Sequence, residues 1–378
     1  MKVGVVGWGL RGKLASLVET SPKVKAEHRA TIVALADPSP NAQARFLEAH
    51  PEAKTFSDFQ DLLGFGLDAV FILSPDWLHE EHAQAFLKAG IPTFLEKPMA
   101  ITISGCDAIL RAQRESGTKL YLGHNMRHFG VVSKMREWIQ QGLIGKVKAA
   151  WCRHFISYGG DAYFRDWHAD RTKSTGLLLQ KGAHDIDVLH YLCDGFSKRV
   201  SAMGGLTVYG NIHSRQEPGE APNVAFNKTW PPRSLERLNP VVDVEDLSMM
   251  NMELDNGVFA SYQQCHYTPD AWRNYTIIGD EGRLENFGDA PGKAVVRLWD
   301  HARYAYEPQG DLEYRVPEVG GWHGGSDDLM VAEFLRYVAE GGPCTTSPLA
   351  GRMAVAAGII ATESIRSGGA AMDVPTVQ

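Results

Sequence analysis

The sequence predicts an α/β protein in two parts: an N-terminal doubly wound parallel sheet, and a C-terminal α+β domain with a large open, mainly antiparallel sheet. Three observations predict it. Short apolar runs alternate with helical stretches as far as residue 123. The glycines of Gly7-Trp8-Gly9-Leu10-Arg11-Gly12 close the first run. Beyond residue 124 the alternation gives way to long stretches of period two.

Strands are expected at 2–6, 31–36, 69–74, 93–96 and 119–123, and helices at 10–20, 41–49, 57–63, 77–89 and 103–116. Strands that are apolar on nearly every residue are covered on both faces, which implies a parallel sheet between helices. The second part has a helix at 129–142, extended stretches at 146–155, 199–210, 247–267 and 274–288, and a helix at 182–193. Asp255-Asn256-Gly257 and Gly279-Asp280-Glu281-Gly282 read as hairpin turns. Residues 215–240 read as a long loop. Helices return at 326–340 and 349–367, where they are free to pack back on the first domain. The domains are placed at 1–123 (cofactor binding) and 124–378 (substrate binding and oligomerisation).

Composition excludes several classes. Of 378 residues, 44% are hydrophobic, and 38 Lys+Arg against 45 Asp+Glu give a net charge of −7. That balance argues against a general nucleic-acid binder. No apolar run approaches the ~20 residues of a membrane span, and the start of the chain makes a poor signal peptide. Five widely spaced cysteines (106, 152, 193, 265, 344) suggest neither a disulfide framework nor a zinc site, and fit a reducing cytoplasm.

The glycine turn follows a strand and opens a helix, the setting in which such a loop cradles a pyrophosphate in a Rossmann domain. Gly7 permits the turn, Gly9 the approach of the phosphate, and Gly12 close helix packing. Asp37 ends the next strand, where a carboxylate accepts from both ribose hydroxyls and repels a 2′-phosphate, so NAD is expected rather than NADP. Ser74 and Pro75 end another strand, at the edge where ligands bind. His79 and His82 follow on a helix; their spacing does not make a metal pair, and they are expected on the helix surface. Glu96-Lys97-Pro98 closes the next strand and sets Lys97 at the sheet edge. In the second domain Gln180 and His184 share a helix face, and Asp187 is placed to orient the imidazole.

The order GxGxxG, acidic strand end, Ser-Pro-x-x-x-His, Glu-Lys-Pro and Gly-x-His-Asp-x-Asp resembles the Gfo/Idh/MocA oxidoreductases over nearly the whole chain. The resemblance implies NAD as cofactor and an NAD-dependent oxidoreductase that acts on a secondary ring hydroxyl of a sugar, inositol or sugar derivative. It implies Lys97 and His184 as the catalytic pair: His184 takes the hydroxyl proton, Lys97 hydrogen-bonds the same oxygen, and the hydride leaves for the nicotinamide. Expected around the cofactor are Gly7, Trp8, Gly9, Leu10, Arg11, Gly12, Asp37, Ser74, Pro75, His79, Glu96, Lys97 and Asn125. Expected around the substrate are Lys97, Arg127, Tyr163, Arg165, Arg171, Lys173, Gln180, Lys181 and His184, with His266, Tyr267 and Arg273 as weaker candidates. The resemblance also implies a dimer or tetramer.

One position departs from the family. Many sugar dehydrogenases of this kind carry Asp four residues before the histidine, where this chain has Gln180 followed by Lys181. A neutral amide beside an extra cation suggests an anionic substrate, with Arg165, Arg171 and Lys173 available to clamp it. It also keeps open a redox-neutral glycoside hydrolase: oxidation at C3, loss of the C1 substituent, addition of water and re-reduction, on a glycoside such as a uronate or sulfosugar. Tyr163 and His154 are then candidates for the second base. A non-enzymatic NAD-binding regulator is the third reading, and the intact Lys97 and His184 speak against it.

Overall fold

The computed structural model describes residues 1–217 and 229–377. The chain divides into two compact units, Met1–His128 with Gly320–Arg352, and Phe129–Val319 with Met353–Gln378.

The first unit is built on a six-stranded sheet of order β3-β2-β1-β4-β5-β6. Its strands are β1 (Lys2–Val6), β2 (Thr31–Ala36), β3 (Lys54–Phe56), β4 (Ala69–Ile72), β5 (Thr93–Leu95) and β6 (Leu120–Leu122), and every pairing is parallel. The apolar runs are buried on both faces, as in β4, where all four residues are covered. Helices Pro40–Ala49, His79–Lys88 and Ile103–Ser116 complete the alternation. Ser39 caps the first through the Ala42 N–H, and Thr102 caps the third through the Gly105 N–H. Phe71 and Phe94 stack at 4.7 Å, and Phe334 of helix Ser326–Glu340 meets Phe71 edge-on at 5.1 Å. Each buried aromatic contributes about 1.5–3 kcal/mol. The return segment thus belongs to this core: Met330, Val331 and Leu335 lie in it with Phe334.

Two helices expected here are tighter and shorter. Residues 10–20 form a 3-10 turn (Gly12–Leu14) and a single helical turn (Leu17–Thr20), not one helix. The Trp8 ring lies over Gly12 so closely that a Cβ there would come within 2.9 Å of it. Residues 57–63 are a 3-10 turn, Phe59–Leu62, capped by Asp58. Strand β3 was not expected; three half-exposed residues carry too little periodicity to announce a strand.

The second unit holds a nine-stranded sheet, β14-β13-β12-β11-β7-β10-β9-β8-β15. Its strands are β7 (Val147–Phe155), β8 (Ser197–Gly205), β9 (Leu247–Leu254), β10 (Phe259–Cys265), β11 (Trp272–Gly279), β12 (Arg283–Phe287), β13 (Val295–Trp299), β14 (Leu312–Arg315) and β15 (Met372–Asp373). Only β7 and β10 run parallel to each other. Along β7 the side chains alternate: Ala150, Cys152 and His154 face inward, while Trp151 and Arg153 face out. Helix Gly182–Cys193 packs on the inner face. The chain turns at Asp255–Gly257 and at Asp280–Gly282. The stretch 199–210 leaves the sheet after Gly205, because the Asp246 carboxylate takes the N–H groups of Thr207, Val208 and Tyr209. Part of the 215–240 loop, 218–228, lies outside the described residues. The rest carries a 3-10 turn at Pro232–Ser234 and a bridge from Arg215 to Leu238.

Candidate active site

In the first unit the strand order reverses between β1 and β4, so a crevice opens at their C-terminal ends. Gly7 sits there at φ +88°, and a Cβ on it would come within 2.9 Å of the Leu73 carbonyl and the Ser74 backbone. Gly9 is exposed and has open space where a side chain would be. Gly12 serves differently from expectation: its missing side chain accommodates Trp8, not a strand. Trp8 is itself buried, edge-on to Phe46, and turned away from the loop surface, whereas Leu10 is exposed. Asp37 accepts the Trp8 N–H and the Ser39 N–H, each at 2.8 Å, and so ties the loop to the end of β2.

Arg11 is not a free cation. Its guanidinium pairs with Glu96 at 2.6 Å and with Asp327 at 2.8 Å. Burial works against its charge, but the two carboxylates prevail and hold the pKa above its ordinary value. Asp327, conversely, is held below the usual carboxylate range: burial opposes this, and hydrogen bonds from His323 and Arg11 outweigh it. The other Glu96 oxygen accepts the Lys97 N–H at 2.8 Å. Lys97 is half-buried after β5, and its peptide to Pro98 is cis. Asn125, past β6, donates to Asp327 at 3.0 Å, while its Oδ1 is buried without a hydrogen-bond partner. The segments after β1, β5 and β6 are thereby joined through Asp327, a residue 202 positions beyond Asn125 and 316 beyond Arg11 that no sequence motif announced.

His79 and His82 are buried, contrary to their expected place on the helix surface, because that helix turns them toward the sheet. His79 Nδ1 lies 2.7 Å from the Pro98 carbonyl and Nε2 2.9 Å from the Ser74 carbonyl, so the ring bridges the segments after β4 and β5. The Ser74 hydroxyl meets His82 at 2.9 Å, and burial lowers the His82 pKa to about 4. Pro75 leads into the turn Asp76–Leu78. Arg127 donates to the Thr345 carbonyl at 2.6 Å in the same unit.

In the second unit His184 lies half-buried in the first turn of helix Gly182–Cys193, four residues after the buried Gln180. Asp187 is buried on the same helix. Asp185, fully buried, is gripped by Arg273 at 2.7 Å, His154 at 3.2 Å, Tyr262 at 3.2 Å and the Tyr275 hydroxyl. Burial opposes its charge, but these donors hold its pKa far below normal. His154 is lowered to about 4, first by burial and then by Arg273. Asp185 lies inside the Gly-x-His-Asp-x-Asp motif, but no motif marked Tyr262 or Tyr275; they meet it because β10 and β11 set both tyrosines on the sheet face that helix Gly182–Cys193 covers.

Two cations expected to clamp an anion are committed elsewhere. Arg165 pairs with Asp161 at 3.0 Å, and Arg171 with Asp243 at 2.9 Å. Lys173 is half-buried on the short helix Arg171–Ser174. Tyr267 meets Thr207 at 3.2 Å. Lys181 instead faces two tyrosines, its ammonium 5.8 Å from the Tyr158 ring centre and 6.0 Å from that of Tyr163. Tyr163 is buried and packs edge-on to His266 at 5.2 Å.

Two family models match the sequence. Residues 1–124 match the model described as oxidoreductase family, NAD-binding Rossmann fold, and residues 136–374 match its C-terminal alpha/beta domain. The inositol 2-dehydrogenase/D-chiro-inositol 3-dehydrogenase of Lactiplantibacillus plantarum is 26% identical over 99% of this chain and 93% of its own. A 2,7-anhydro-N-acetylneuraminate hydratase of Mediterraneibacter gnavus is 30% identical, with the match spanning 53% of this chain and only 52% of that one. Among solved structures, levoglucosan dehydrogenase in complex with NADH and levoglucosan superposes with a TM-score of 0.80 over 100% of both chains, at 21% identity. Among the described residues no helix is long and apolar enough to cross a membrane.

Proposed function

Because the chain belongs to the Gfo/Idh/MocA oxidoreductase family, an NAD-binding group of sugar and polyol dehydrogenases, we propose that it oxidises a secondary ring hydroxyl of a sugar, inositol or sugar derivative. The observation that carries this reading is the edge of the first sheet. Gly7 has no room for a side chain, Gly9 leaves the backbone open, and Asn125 keeps an acceptor without a partner. These fit a dinucleotide: N–H groups of the loop for its phosphates, Asp37 for the ribose hydroxyls, Asn125 Oδ1 for a carboxamide N–H. When bound, NAD supplies the two-electron acceptor. Lys97 then hydrogen-bonds the reacting oxygen, held in place by the Glu96 contact to its own N–H and by the His79 contact to the Pro98 carbonyl. His184 takes the hydroxyl proton as general base.

Two observations keep a redox-neutral glycosidase as second reading: Gln180 in place of an acid, and the likeness to a hydratase over half its length. One incubation separates the two. Purified protein is mixed with NAD and a panel of free sugars, inositols and glycosides, and both reduced nicotinamide and released aglycone are followed. Net NADH is the expected result; aglycone released without net NADH would replace it with the second reading. In either case Lys97→Ala is expected to cut turnover by ~10³-fold or more while NAD binding stays within a few-fold. Full activity in that variant removes Lys97 from the chemistry.

We also infer a homo-oligomer formed through the outer face of the second sheet. Met203 and Met249 are cross-strand partners there, and they stand exposed with Trp151 and Phe259. Light scattering that returns the 41.6 kDa mass of one chain would remove this inference. The wide spacing of the five cysteines supports the reading of a cytoplasmic setting.

A further inference from the structure

The inner face of the second sheet is satisfied around Asp185 and unsatisfied beside it. His266 is fully buried, and neither ring nitrogen has a hydrogen-bond partner. Two residues earlier, near the end of β10, Gln264 is 1% exposed; its Oε1 lies 3.2 Å from the Tyr262 hydroxyl, and its Nε2 has nothing to donate to. Groups of this kind, buried and left unpaired, carry the full cost of desolvation unless something enters to pair with them. Tyr163 links His266 to Lys181: its ring centre lies 5.2 Å from that of His266 and 6.0 Å from the Lys181 ammonium, and burial, then His154 and Lys181, hold the His266 imidazole neutral. Among the described residues no carboxylate pairs with Lys181. Burial works against its charge, and Tyr158 and Tyr163 more than offset that, so it stays an ammonium.

All these groups can donate: one ammonium, one imidazole N–H and one amide. The complement of such a set is an acceptor with a single negative charge. The count of cations favours a carboxylate over a phosphate dianion, since Arg273 is committed to Asp185 and Asp289, Arg165 to Asp161 and Arg171 to Asp243. We propose that Lys181, His266 and Gln264 form a carboxylate subsite, which makes the substrate an acidic sugar of the uronate type. The inference rests on the reading that the face beside His184 receives the substrate. It also assigns the departure at 180–181: the residue after Gln180 supplies the charge that selects the ligand.

The test is calorimetric binding to the full NAD-loaded protein. The probes are glucuronate, galacturonate and mannuronate and their methyl glycosides, each against the matching neutral aldose or aldoside. At least one acid is expected to bind roughly a hundredfold tighter than its neutral partner. Lys181→Met is expected to erase that gap, and Lys181→Arg to keep most of it. The wild-type comparison needs no variant, so a failure of Lys181→Met to fold leaves the proposal exposed to refutation. Neutral sugars binding as well as the acids, no acid binding at all, or a gap that survives in folded Lys181→Met would each overturn it. Acids that bind through Lys181 but yield no net NADH leave the subsite standing and remove the dehydrogenase reading. Net NADH from neutral sugars alone does the reverse.

Discussion

The two candidate regions are built from opposite materials. The edge of the first sheet is made largely of main chain: a glycine loop, strand ends, and carboxylates that accept backbone N–H groups, as Asp37 and Glu96 do. The inner face of the second sheet is made of side chains, with one buried carboxylate held by an arginine, a histidine and two tyrosines drawn from β7, β10 and β11. A backbone site recurs wherever the turn recurs, and suits a cofactor shared by many enzymes. A site of side chains can be changed one residue at a time, and suits the substrate, which differs among them.

The contrast is broken most directly at the two central carboxylates. Asp185→Ala would leave Arg273 buried with one charge partner fewer and take one acceptor away from His154, Tyr262 and Tyr275. Removing one partner of a buried pair costs about 3–5 kcal/mol. Asp327→Ala in the first unit would leave Arg11 with Glu96, and Arg11 is 27% exposed, so about 1–2 kcal/mol is expected there. Urea denaturation of both variants measures the difference. Equal losses would mean that the second unit gains nothing special from its side-chain network.

The same contrast decides what the sequence could reveal. The first sheet was legible because its signals are local: an apolar run, a glycine turn and a strand-end acid fall within a few residues of each other. The helix expected at 10–20 is instead a 3-10 turn and a single helical turn, with the Trp8 ring packed over Gly12. Arg11 lay inside the motif, yet its partners Glu96 and Asp327 are 85 and 316 residues away. In the second unit the period of two gave the long strands, but not the five-residue β13, nor β14, whose side chains are largely exposed, nor the two-residue β15. The Asp185 network was illegible because register, not spacing, creates it. His154 stands opposite Arg273 across one strand pair and opposite Gln264 across another, and nothing in the chain order says so.

At Asp37 the expected loss is again smaller than at Asp185, and it separates the two uses of a backbone site. Asp37→Ala deprives the Trp8 and Ser39 N–H groups of their acceptor, for a loss of about 1–2 kcal/mol in stability, read from the urea midpoint. The same carboxylate is the group expected to meet the ribose. Its removal is therefore expected to weaken NAD by roughly tenfold and to narrow the preference over NADP, since the charge that repels a 2′-phosphate is gone. Both coenzymes are titrated against wild type and variant by the fluorescence of the bound reduced forms. Stability that falls while the NAD to NADP ratio stays put would mean that Asp37 only braces the loop. The first unit's edge would then discriminate through something other than this strand-end acid, and the division into a main-chain cofactor site and a side-chain substrate site would lose its first half.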